Sequence, residues 1–270
     1  MHFRIINFQI SMTGFIASIF IGISLGLIGG GGSILTVPTL VYLFNISPLQ
    51  ATAYSLFIVG ITSMIGSLSY FKKGLIHLKS SIIFGIPSII AVFLTRSYLL
   101  PAIPLKIFSI GDFVATKDIL LLLFFAVLMI AASYSMIKRK QVPISEIQFN
   151  YPLILFQGIF IGVITGLIGA GGGFLMIPAL VNLLKLPMKT AVGTSLLLIS
   201  LNSLTGFVFS VPYLSIQWDF LLSITFIAIV GILIGSFLST KIKGEKLKPI
   251  FGWFVLVMGI YIILKETLLS

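Results

Sequence analysis

The sequence predicts an all-α integral membrane protein built from two inverted-topology repeats, each a glycine-broken helical hairpin followed by three long transmembrane helices. Three observations predict it. Hydrophobic residues make up 58% of the chain and charged residues only 9%, whereas a soluble domain carries about 25% charged residues. A block of the first half recurs in the second half at a fixed offset of 140 residues. Equivalent loops of the two halves carry opposite Lys/Arg bias.

The elements follow in order. Apolar runs fall at 12–28, 34–45, 50–70, 81–100, 118–137, 152–168, 174–185, 190–210, 219–240 and 249–265. Hydrophobicity is continuous rather than alternating, which argues for helices and against a barrel. Eight runs approach or exceed the ~20 residues needed to cross a bilayer. The runs 34–45 and 174–185 are too short for that, and each directly follows a glycine cluster. They read as half-length arms of broken hairpins, 12–45 and 152–185. Arg4 precedes the first run, but no small-x-small cleavage motif stands before the glycines, and the segment recurs later. It reads as a span rather than a cleaved signal.

Charge and composition exclude several function classes. The net charge of +11 arises from 17 Lys+Arg against 6 Asp+Glu. The basic residues sit between apolar runs, as in membrane-protein loops, and not on one nucleic-acid-binding face. There is no cysteine, so disulfides, thiolate metal sites and cysteine nucleophiles are excluded. With only His2 and His77, no histidine-rich metal site is expected. No cofactor is implied. An intramembrane protease would need a Ser–His or paired-carboxylate dyad within the spans; none is visible, and the chain reads as a non-enzyme.

The repeat is specific. Gly26-Leu27-Ile28-Gly29-Gly30-Gly31-Gly32 reappears as Gly166-Leu167-Ile168-Gly169-Ala170-Gly171-Gly172, with Ser33 replaced by Gly173. Pro38 matches Pro178, Ala51 matches Ala191, Ser55 matches Ser195, Ser63 matches Ser203 and Gly66 matches Gly206. From 19 to 66 there are 20 identities in 48 positions without a gap. The halves are 1–140 and 141–270, forming one membrane domain. The loop 71–79 holds Lys72, Lys73 and Lys79, while 211–219 has no Lys or Arg; the turn 45–49 has none, while 185–189 holds Lys185 and Lys189. The positive-inside rule then sets the halves in opposite orientations. Lys138, Arg139 and Lys140 fall in the cytoplasm with Lys241, Lys243, Lys246 and Lys248. Lys106, Lys117 and Arg4 run against the rule.

Candidate site residues cluster at the breaks. Glycine runs between apolar arms leave backbone groups without helical partners, which lipid tolerates only where the break is buried or lines a cavity. Ser33 and Gly173 precede the short arms, whose amino-terminal N–H groups and dipoles favour an anion. The substrate-binding set is therefore Gly29, Gly30, Gly31, Gly32 and Ser33 with Gly169, Ala170, Gly171, Gly172 and Gly173. Ser55, Thr194, Ser195 and Asn202 in the following long helices add hydroxyl and amide groups. The alternatives are tight helix packing for the glycines and back-bonding to helix carbonyls for the hydroxyls. Pro38 and Pro178 either kink the short arms or join the site. Arg96, near the end of the span 81–100, either snorkels to the interface or offers its fork to an oxyanion.

At these residues the sequence resembles the TauE/SafE family of sulfite and organosulfonate exporters. The resemblance rests on Gly26-x-x-Gly29-x-Gly31-Gly32 with Pro38, on Gly166-x-x-Gly169-x-Gly171-Gly172-Gly173 with Pro178, and on Ala51-Thr52-x-x-Ser55 echoed by Ala191-Val192-Gly193-Thr194-Ser195. It covers essentially the whole chain. It implies a multi-pass permease of the plasma or inner membrane for a small sulfur-containing anion such as sulfite, thiosulfate or an organosulfonate. The residues alone say only small anion. The alternative is an anion channel using the same broken-helix site. The expected partners are the small anion and the lipid bilayer, with no nucleic acid.

Overall fold

The computed structural model describes residues 12–110, 113–137, 150–241 and 244–268. Helix α1 spans Met12–Ile28, and the first short arm follows as a tight 3-10 segment Gly30–Leu35, one α turn Thr36–Pro38 (α2) and a wide π segment Thr39–Leu43. Helices α3 (Pro48–Lys72) and α4 (Leu78–Leu94) come next, and α4 runs through a π turn Thr95–Leu99 into α5 (Leu100–Ala102). After the hairpin β1 (Lys106–Ile110) and β2 (Phe113–Thr116) comes α6 (Lys117–Ile137). The second half holds α7 (Tyr151–Ile168), the short arm α8 (Gly173–Asn182), α9 (Met188–Val208), α10 (Trp218–Lys241) and α11 (Gly244–Leu268). Six of the described helical segments are long and apolar enough to cross a membrane.

The distribution of side chains is that of a lipid-embedded bundle. Phe20, Phe71, Phe156, Phe226 and Phe237 face outward, while Ser55, Thr62, Ser63, Thr194, Asn202 and Arg96 are buried. Lipid solvates the outer apolar residues, so the polar residues collect inside. Asn202 and Ser88 illustrate the consequence: the Asn202 Nδ2 donates to Ser88 Oγ at 2.6 Å across α9 and α4.

Packing follows the repeat. α1 packs on α10 and α4 on α7, while α3 packs on α9 and α6 on α11. A Cβ on Gly22 would meet Ala228 O at 2.1 Å and Gly231 Cα at 2.8 Å; a Cβ on Gly162 would meet Ser88 O at 2.4 Å and the Ala91 Cβ at 2.7 Å. These four partners are also related by the offset of 140, so each half lends its glycine-lined first helix to the other half. The repeat also holds in the turn after each short arm, where the residues differ at 45/185 and 46/186. Asn45 and Lys185 both take a positive φ, 52° and 53°. Ile46 N bonds Leu40 O at 3.1 Å, and Leu186 N bonds Leu180 O at 3.2 Å.

The direction of the self-pairs is informative. Gly60 lies against Leu204, Gly66 against Leu196 and Gly206 against Leu56, so α3 and α9 run antiparallel. Gly252 lies against Met136 and Ile137, and Gly259 against Ala126 and Ile130, so α6 and α11 run antiparallel too. The equivalent α1·α10 and α4·α7 pairs run parallel, since Gly22 and Gly26 meet Gly231 and Gly235 in the same order.

Two features depart from the sequence expectation. The stretch between the spans 81–100 and 118–137 reads as loop, yet it forms the antiparallel β1–β2 hairpin, with Lys106 opposite Thr116 and an irregularity before Phe108. Alternation is too brief over five and four residues for a sequence signal to emerge. The two short arms are also not alike: α8 passes through Pro178 as one helix, whereas the first arm changes winding on both sides of Pro38. The basic residues at 138–140 and Lys243 lie outside the described residues, as do Arg4 and His2.

Candidate functional site

The two glycine breaks meet. A Cβ on Gly30 would stand 2.2 Å from Gly173 Cα, and one on Gly173 would stand 2.3 Å from Gly30 Cα. Their main chains are thus in direct contact, and neither residue has room for a methyl group. Each break also touches the start of a long helix in the opposite half: Gly169 approaches the Thr52 carbonyl, and Gly29 approaches the Val192 side chain. Thr52 and Val192 are again equivalent at the offset of 140.

The break conformations differ. Gly29 has φ 73° and ψ −134°, after which the chain tightens into the 3-10 segment. Gly169, Gly171 and Gly172 all take positive φ, 75°, 66° and 67°, a region that glycine enters without steric penalty. α8 therefore starts at Gly173 with no side-chain cap. The first arm instead begins with Ser33 bonded locally, its Oγ donating to Gly30 O at 2.7 Å. Ala170 packs in the apolar core with Ile168 and Phe174, and Gly32 is buried against Ser24 and Leu25.

The hydroxyl candidates separate into two groups. Ser195 Oγ donates to Val192 O at 2.8 Å, the back-bonding alternative for this residue. Thr194 Oγ1 accepts from His77 N at 3.0 Å and so ties α9 to the turn before α4. Ser55, Ser63 and Ser203 are buried with no partner for their Oγ atoms. Asn202 uses its nitrogen on Ser88 and leaves Oδ1 unpartnered. Ser203 lies directly at the second break, where a Cβ on Gly171 would meet its Oγ at 2.8 Å. A buried hydroxyl without a partner costs about 1–3 kcal/mol, so this group is held ready for something or is an expense of the fold.

Arg96 is the strongest electrostatic feature. It is 2% exposed and does not snorkel. Nη1 donates to Thr52 Oγ1 at 3.2 Å, while Nε and Nη2 have no partner. Through Thr52 the guanidinium adjoins the Gly169 break, and its chain neighbour Thr95 packs on Gly166. No carboxylate pairs with it among the described residues. At the equivalent position of the second half stands Ser236, whose buried Oγ is likewise unpartnered. Arg96 also reaches a cavity of about 240 Å³ that Lys117, Ser210 and Tyr213 help to line. Among the described residues no group of His, Cys, Asp and Glu is arranged to hold a metal ion.

Sequence reasoning missed Thr52 as a contact, Thr165 and Lys117. Thr165 is buried beside Gly172, with Oγ1 unpartnered. Its repeat equivalent is Leu25, so repeat matching passes over it. Lys117 appeared only as a residue on the wrong side of the charge rule; its burial, 5% exposed, explains why it does not obey a rule about loops. Pro38 is buried and precedes the π segment, and Pro178 lies inside α8.

Comparison with known proteins gives a consistent picture. The sequence model of the family described as "Sulfite exporter TauE/SafE" matches residues 14–262. A "Probable membrane transporter protein" of Xylella fastidiosa strain Temecula1 is 28% identical over 251 residues, covering 90% of this chain and 91% of that protein. The "Probable membrane transporter protein YunE" of Bacillus subtilis strain 168 is 28% identical over 263 residues, covering 88% and 91%. A probable membrane transporter protein of Methanocaldococcus jannaschii is 28% identical over 268 residues, covering 92% and 94%. No solved structure matches significantly.

Proposed function

We propose, for a chain that belongs to the sulfite exporter TauE/SafE family and is a multi-pass membrane transporter, that its substrate is a small oxyanion bound at the glycine breaks beside Arg96. The observation that carries this is the buried Arg96 guanidinium, with two nitrogens unpartnered and no carboxylate beside it among the described residues. A buried uncompensated cation costs several kcal/mol, and breaking a buried pair costs about 3–5 kcal/mol. An anion arriving at Nε and Nη2 would supply the missing partner in the bidentate geometry that suits oxyanions. The second glycine break adjoins it through Thr52, and the unpartnered hydroxyls of Ser55 and Ser203 are further candidates for the shell. Sulfite, thiosulfate and short organosulfonates are the chemical candidates.

Transport by alternating access fits better than a channel. The Gly30–Gly173 main-chain contact closes the gap between the breaks, so a route through that point opens only when the halves move apart. The antiparallel α3·α9 and α6·α11 pairs support a two-fold axis perpendicular to the helices, hence inverted halves if those helices cross the bilayer.

The test is flux in proteoliposomes. Labelled sulfite, thiosulfate and sulfoacetate are offered to the parent protein and to Arg96→Gln. At least one anion should show saturable, counterflow-accelerated flux in the parent, and Arg96→Gln should reduce its kcat/KM by on the order of 100-fold, as loss of one partner of a buried charged contact would. Undiminished flux in a correctly inserted Arg96→Gln protein removes Arg96 from the site; absence of saturable flux for all three anions removes the anion assignment; purely ohmic current removes the transporter mechanism.

A further inference from the structure

The cavity next to Arg96 differs in character from the breaks. Two cationic side chains line it, Arg96 at 2% exposure and Lys117 at 5%. Its other walls include Leu49, Leu100 and Leu214, and no acidic residue among the described ones lines it. Lys117 Nζ donates to the Leu100 carbonyl oxygen, which uses one of the three ammonium hydrogens. Arg96 keeps Nε and Nη2 without partners. Asp118, the next residue after Lys117, does not line the cavity. Two like charges with low-dielectric walls repel more strongly than in water. An anion between them would offset that repulsion.

The rim is held in place. Gln217 N donates to Tyr54 Oη at 2.7 Å, and Gln50 Nε2 donates to the same oxygen at 2.9 Å. These bonds fix the turn that carries Tyr213 and Leu214 over the cavity. At the offset of 140, Arg96 corresponds to Ser236, which carries no charge.

We propose that this cavity is an anion vestibule, in which Lys117 and Arg96 together hold a small oxyanion before it reaches the second glycine break. This rests on the reading of the chain as an anion carrier, and it assigns Lys117 a binding role. Lys117 draws the anion in as a compact charge, and Arg96 spans the distance to Thr52 and Gly169. Apolar walls with a single sign of charge concentrate counter-ions.

The chain has no cysteine, so Leu214→Cys places a sole thiol at the rim. The protein is reconstituted in lipid nanodiscs, and the thiol is treated with two methanethiosulfonates, one bearing a sulfonate and one a quaternary ammonium. Normalised to their rates with a free thiol, the anionic reagent should react about tenfold faster. Inorganic sulfate should slow it. Adding Lys117→Gln should bring the ratio towards one and abolish sulfate protection, while Lys117→Arg should keep both. A ratio near one with Lys117 present overturns the proposal, even if Lys117→Gln does not fold. So does a ratio unchanged in Lys117→Gln. Labelled sulfite flux through the same parent protein separates this from the transport reading. Charge-selective labelling without flux of any anion leaves the vestibule standing and removes the transporter reading, whereas flux without charge-selective labelling removes the vestibule alone.

Discussion

A methyl group at Gly30 would overlap the Gly173 main chain, 2.2 Å away, and no side-chain rotation relieves a clash between backbones. Gly74 is the natural contrast: its φ is also positive, but nothing lies within 4 Å. Gly74→Ala should therefore cost only the ~1–2 kcal/mol of a left-handed alanine, whereas Gly30→Ala should separate the two breaks and lower the melting temperature well beyond that. Thermal unfolding of both variants in detergent checks it. Ser55 gives a second residue-scale contrast, because its hydroxyl is buried and unpartnered. Ser55→Ala should leave stability unchanged or raise it by about 1 kcal/mol, since an unsatisfied group is removed, yet weaken anion binding if the hydroxyl completes the shell. Lower stability with unchanged anion affinity would show that Ser55 serves packing alone. The sequence made Ser55 and Ser195 a matched pair, but the structure separates them: Ser195 bonds back to Val192 and Ser55 does not. Residue type was legible at these positions; rotamer was not.

At the scale of elements, the boundaries of the spans were largely readable. The run 50–70 became Pro48–Lys72 and the run 190–210 became Met188–Val208. Length and apolarity decide these, because lipid forces every backbone group into an internal bond. The short arms were readable as short, but not in their winding. Pro38 and Pro178 occupy the same place in the repeat, yet one arm is 3-10, α and π in succession and the other is a single helix. The glycines upstream differ as well: Gly171 and Gly172 take positive φ just before α8, whereas in the first break only Gly29 does so. The proximity of Arg96 to Lys117 was not legible at all. It depends on the π turn Thr95–Leu99 and on the hairpin that returns the chain to Lys117, and neither leaves a pattern in the sequence.

For the whole molecule, opposite loop charge and the antiparallel α3·α9 and α6·α11 pairs both support the proposal of inverted halves. Lys73 and Tyr213 are equivalent positions in the two halves and both are exposed. Single cysteines at Lys73 and Tyr213 should label with an impermeant thiol reagent from opposite sides of the membrane in intact cells. Labelling from one side would make the repeats parallel.

The exchange of first helices also governs assembly in time. Gly22 of α1 docks on Gly231 of α10, and the 208 residues between them take roughly 10–40 s to synthesise at ribosomal speed. Throughout that interval the small-residue face of α1 lies in lipid without its final neighbour. The amino-terminal half is thus not a finished unit waiting for a second one, and the bundle closes only when the chain is nearly complete.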